Sequence, residues 1–148
     1  AGRSSYGDAL DAGPRVAITQ LGPGEKRVLR VHQAERCLGL AAIVTLEEGP
    51  RKLVLQPCTT VIGRLLDEAG APIGGVPLEA SSYMDYDRGH SAAAEPDGRF
   101  RLEHVVPGVP IHFYARSEAL QDSFQVVADP LEPTGGVMDL GDVVLKLR

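Results

Sequence analysis

The chain has 148 residues, and Leu, Val, Ile and Phe make up 40 of them, above the roughly 20% floor below which chains stay disordered. Its 17 Gly and 11 Pro exceed the usual combined share of about 12%, which predicts many turns between short ordered segments. The net charge is −5, with Lys and Arg scattered, which argues against nucleic acid as a partner, and no apolar run nears the roughly 18–20 residues that span a bilayer.

The opening Ala1-Gly2-Arg3-Ser4-Ser5 shows no secretory apolar region, and the missing initiator Met suggests a mature form or a fragment. Strand signals then dominate. Residues 16–18, 27–31, 40–46 and 51–55 are rich in Val, Leu and Ile. The β-branched run 59–66 ends at the turn Asp67-Glu68-Ala69-Gly70, and 76–80 follows the Gly74-Gly75 pair. Residues 100–105 and 111–116 alternate apolar and polar, and 123–127 and 143–147 complete the set. Helical character is confined to 34–40 and 91–95, both too short to stand alone. Turns are expected at Gly49-Pro50, Pro96-Asp97-Gly98-Arg99 and Pro107-Gly108. Period-2 alternation between frequent turns predicts an all-β antiparallel sandwich with one wet face per sheet.

An internal echo divides the chain. Leu21-Gly22-Pro23-Gly24 precedes one predicted strand as Val106-Pro107-Gly108 precedes another, with Gly24 and Gly108 84 positions apart. Residues 1–57 therefore read as a partial β unit, the back half of a preceding repeat, and 58–148 as a complete one. Gln56-Pro57 would be a short, stiff linker.

The run Thr60-Val61-Ile62-Gly63-Arg64-Leu65-Leu66-Asp67-Glu68-Ala69-Gly70-Ala71-Pro72-Ile73-Gly74-Gly75-Val76 resembles the opening of a carboxypeptidase regulatory-like domain. Pro96-Asp97-Gly98-Arg99-Phe100-Arg101-Leu102 with Val106-Pro107-Gly108 resembles its middle, and Asp139-Leu140-Gly141-Asp142-Val143-Val144-Leu145 its last strand. The resemblance covers 58–148. It implies a seven-strand Greek-key prealbumin-like (Ig-like) sandwich without catalytic residues or cofactors. Such modules are accessory or tandem-repeated parts of exported, cell-envelope or extracellular proteins, with neighbouring domains of the same polypeptide as partners. In such a unit Val61, Leu65, Val76, Leu78, Phe100, Leu102, Ile111, Phe113, Val144 and Leu145 would form the core.

The richest polar segment is 81–90, read as a loop between strands. Tyr83, Asp85, Tyr86, Asp87 and His90 are its candidate ligand-binding residues, with flat Tyr faces suited to a glycan or peptide. Asp85 and Asp87 lack the further ligands of a calcium loop, so no metal is expected there. The prealbumin-like fold also carries intradiol dioxygenases, whose Pro-His-x-His-Phe motif resembles Val109-Pro110-Ile111-His112-Phe113. Their iron needs two Tyr and two His. Here Pro110 and Val109 occupy two ligand positions, so His112 reads as an outward strand residue beside Tyr114. Cys37 and Cys58 are either a disulfide closing 20 intervening residues, which needs an oxidising compartment, or two separate buried thiols. These readings predict a non-catalytic spacer or interaction module, with a carbohydrate- or peptide-binding module as the alternative.

Overall fold

The computed structural model describes residues 18, 20–82 and 85–148. The described residues are all-β apart from one 3-10 turn, with ten strands in three sheets.

Two of the sheets face each other across one core. The first holds β4 (Thr59–Leu66) between β7 (Arg99–Val105), antiparallel to it, and β10 (Gly136–Val144), parallel to it. The second runs in the order β6 (Asp85–Ala93), β5 (Pro77–Ser82), β8 (Ile111–Arg116), β9 (Phe124–Leu131), antiparallel throughout. The alternation predicted for β7 and β8 appears directly as burial. Phe100, Leu102, Ile111, Phe113 and Ala115 point inward, while Arg99, Arg101, Glu103 and Arg116 stay wet.

Phe100 and Phe113 bridge the two sheets edge to face, with ring centroids 5.6 Å apart. The Phe100 ring also covers Gly63 of β4, where a Cβ would come within 2.5 Å of Cζ. That close approach explains a glycine in the middle of a strand, a position that otherwise costs stability. Around this pair Val61, Leu65, Leu78, Leu102, Leu120 and Leu145 are almost fully buried. The turns carry their predicted chemistry. The Asp67 carboxylate accepts from the amides of Ala69 and Ala71 at 2.9 and 2.8 Å, and Asp97 accepts from Arg99 at 3.0 Å.

The third sheet comprises β1 (Lys26–Gln33), β2 (Leu38–Thr45) and β3 (Gln56–Pro57), antiparallel in that order. It leans on the connection between β7 and β8. The Ala41 amide donates to the Pro107 carbonyl at 2.7 Å, and Ala41, Val106 and Val109 form a small second core with Val28 and Cys58 against it.

Several expectations need correction. The stretch 34–40 forms only the 3-10 turn Ala34–Arg36 before β2 begins, because the Leu-Gly-Leu-Ala alternation pairs with β1. Residues 91–95 complete β6 and its exit rather than a helix. Residues 51–55 carry no strand, and Gln56-Pro57, read as a linker, is the two-residue strand β3. The last strand lies earlier than 143–147, at Gly136–Val144.

The largest miss in the core is Val144, which is 58% exposed, while Leu145 beside it is buried. The cause is a register shift between Asp139 and Asp142, around Gly141 at φ +68°. Met138 and Leu140 pack inward before the shift, and Val143 and Leu145 after it, so the parity of the strand changes by one. The expected strand at 16–18 falls largely outside the described residues.

Candidate functional site

The segment 81–90 is not a loop. β5 runs to Ser82 and β6 starts at Asp85, and these two residues pair, so only positions 83 and 84 join the strands. Polar residues dominate β6 because it is an edge strand of its sheet. Tyr83 lies outside the described residues, as do the side chains of Asp85, Tyr86 and Asp87, whose backbone belongs to β6.

His90 parts from the other four candidates. Its register partner is Ala80, a core residue, so His90 lies on the inner face of its sheet. Burial pushes its imidazole below the ordinary range, and the positive field of Arg30, His32 and His104 pushes it further the same way. Three of the four histidines therefore gather at one place, from β1, β6 and β7. The rings of His32 and His104 meet edge to face at 5.5 Å, which joins the third sheet to the first. His104 sits at φ +60°, and its Nδ1 is enclosed without a hydrogen-bond partner. Among the described residues, no three His, Cys, Asp or Glu groups stand where they could hold a metal ion.

The outer face of the second sheet presents a different surface. Cross-strand register aligns Glu79 with Tyr114 and Tyr114 with Val126, and the next rows align Ser81 with His112 and Arg116 with Phe124. Tyr114 and Phe124 lie ring against ring at 4.4 Å, tilted by 37°. Phe124 remains 51% exposed and Val126 53%, so the pair forms an open aromatic and aliphatic patch. Polar groups border it. Desolvation, then the hydrogen bond to Glu79, raise the Tyr114 phenol above its usual range, while Ser81 pulls the other way. His112 Nδ1 stands 3.0 Å from an Asp129 oxygen. His112 is thus an outward residue on Tyr114's face of β8, engaged with a carboxylate from β9.

The strand alternation already placed His112, Tyr114 and Arg116 on one face. Which residues of β9 would lie beside them depends on two register shifts between β8 and β9, and no local signal records those. The histidine cluster joins positions far apart in the chain and had no sequence signal.

Cys37 and Cys58 are neighbours, each a free thiol, and not two separate buried groups. The Cys58 amide donates to the Cys37 carbonyl at 2.8 Å. Cys37 is exposed and Cys58 partly covered.

No family model and no curated protein matches the chain. Among solved structures, it is similar to a candidate carbohydrate-binding protein from Bacteroides uniformis, with 12% identity, 59% of this chain and 40% of that chain covered, and a TM-score of 0.46. It is also similar to a 3-chlorocatechol 1,2-dioxygenase from Rhodococcus opacus, with 13% identity, 63% and 61% coverage, and a TM-score of 0.44. A hydroxyquinol 1,2-dioxygenase from Pseudomonas putida gives 11% identity, 65% and 58% coverage, and a TM-score of 0.45. The chain spans less than two thirds of the length of each of these structures.

Proposed function

We propose that the chain is a non-catalytic accessory module of a larger exported protein, in which residues 58–148 form a prealbumin-like Greek-key sandwich and the preceding strands end a neighbouring unit. Its work is geometric. It fixes the orientation of one unit against the next and presents a sheet face for recognition. The observation that supports this most directly is the join between the third sheet and the β7–β8 connection. There the Ala41–Pro107 hydrogen bond, a small apolar core and the His32–His104 ring pair replace a flexible linker. Backbone nitrogen relaxation tests it. One shared tumbling time for β1–β3 and β4–β10 is the expected result. A distinctly faster time for β1–β3 would sink the spacer reading.

A second reading, a carbohydrate-binding module, draws on the Tyr114–Phe124 patch rather than on the 81–90 segment alone. An exposed Phe124 ring backed by half-buried Tyr114 and edged by a carboxylate and a His–Asp pair suits the alternating apolar and hydroxyl faces of a sugar ring. A glycan array followed by calorimetric titration tests it. Binding that disappears when Tyr114 and Phe124 are both changed to Ala supports this reading, and silence across the array rejects it.

A further inference from the structure

We propose that Cys37 and Cys58 are an oxidation site, a cross-strand dithiol whose disulfide clasps the third sheet to the entry of β4. The inference rests on register and is independent of the module reading. β2 and β3 pair Gly39 with Gln56 and Leu38 with Pro57, and one further step places Cys37 opposite Cys58. The 2.8 Å bond from the Cys58 amide to the Cys37 carbonyl holds the two residues against each other just past the end of that ladder, while the Cys37 amide turns back to Ala34. Directly opposed residues on antiparallel strands have Cα atoms about 4.5–5.5 Å apart. A disulfide spans about 4.4–6.8 Å between Cα atoms, a range that includes the spacing of residues opposed across such a ladder.

Local structure favours the reaction. Cys37 is pinned in the left-handed region, at φ +50°, by its amide bond to Ala34 O at 3.2 Å, and its Sγ reaches the same carbonyl at 3.6 Å. Being exposed, it is the thiol that an external oxidant meets first. The Cys58 Sγ lies 3.3 Å from where a Cβ on Gly39 would stand, so the glycine leaves that side of β2 open to it. Desolvation and the neighbouring Cys37 hold the Cys58 thiol in its protonated form. It therefore acts second.

The chemistry balances with a small-molecule disulfide as oxidant. The Cys37 thiolate attacks one sulfur of oxidised glutathione, forms a mixed disulfide and expels one glutathione thiolate. Cys58 then gives its proton to water, attacks the Cys37 sulfur and expels the second glutathione. Two protein thiols lose two electrons, and the glutathione disulfide gains them.

The bond closes a loop of 20 residues over the shortest strand-to-strand ladder among the described residues. It would hold β3 on β2 even if the exposed connection 46–55 were cut.

The test uses the full chain with oxidised glutathione. The expected product is a monomer that has lost two hydrogen atoms by intact mass, has no titratable thiol, and yields a peptide joining Cys37 to Cys58. After protease nicking within 46–55, its two fragments should run as one band without reductant and as two with it. Cys58→Ser should stop at the Cys37–glutathione adduct. A wild-type chain that retains glutathione on Cys37, links to a second copy, or keeps both thiols would overturn the proposal.

Discussion

The amide of Ala41 on β2 donates to the carbonyl of Pro107, which lies just before β8, at 2.7 Å. This bond ties the third sheet to the turn that opens β8. It forms because Gly108 follows Pro107. At φ +115° the backbone of Gly108 takes a conformation that side chains resist, and a Cβ there would lie 2.0 Å from the Ala41 carbonyl oxygen. A single glycine thus permits the close approach of two sheets.

Gly108→Ala should therefore loosen the join. Backbone strain of roughly 1–3 kcal/mol adds to the loss of a hydrogen bond worth about 1 kcal/mol. Chemical denaturation should show destabilisation of that order, and NMR spectra should no longer place the His32 and His104 rings side by side. A change below about 0.5 kcal/mol, typical of an unconstrained surface site, would mean the approach is not tight.

Phe100 is 3% exposed and packs on both Phe113 and Gly63, so Phe100→Ala should cost about 3–5 kcal/mol. Gly63→Ala should also destabilise, by about 1–3 kcal/mol, because the added methyl meets the Phe100 ring. The two changes act on the same pair of groups, so their effects should not add. In the Phe100→Ala background the Gly63→Ala penalty should shrink, leaving the 3.0 Å approach to the Gly141 carbonyl, a coupling that a double-mutant cycle reads directly. Additive costs would remove the ring from above the glycine.

The position of His90 predicts a pH dependence. Its imidazole is held below its ordinary range first by burial, then by Arg30, His32 and His104. The unfolded chain takes up a proton near pH ~6.5, and the folded chain only at lower pH. The unfolded state is then the more protonated one, so stability falls as pH drops below about 6.5 and levels off beneath the folded value. Denaturation midpoints measured between pH 7.5 and 5 should follow that fall, and His90→Gln should flatten it. An unchanged slope in the variant would place the proton uptake elsewhere.

Much of the fold is legible in the sequence, because β4 and β8 carry strong local patterns. The β-branched run and the Ile-His-Phe-Tyr-Ala-Arg alternation match Thr59–Leu66 and Ile111–Arg116 residue for residue. Nine of the ten core positions expected for the sandwich unit that the resemblance implies are buried, and the tenth, Val144, fails because of the shift at Gly141. That shift is set by pairing with β4, which a window along β10 does not contain. The same limit applies to the site. The sequence marks 81–90 as polar but does not distinguish a loop from an edge strand. His32 and His104 meet, with His90 within their electrostatic reach, through the packing of different sheets, and Tyr114 reaches Phe124 through the register of β8 on β9. Cys37 and Cys58 are a pair in only one of the two readings open from the sequence, and their adjacency comes from the two-residue strand β3.

The central claim is that the third sheet and the two facing sheets fold as one piece. Limited proteolysis followed by native size separation and mass analysis tests it most directly. The account predicts a protected core running from near Lys26 to the end of the chain, with any cut in 46–55 leaving fragments that stay together. Rapid loss of everything before Cys58, leaving a stable 58–148 piece alone, would contradict it.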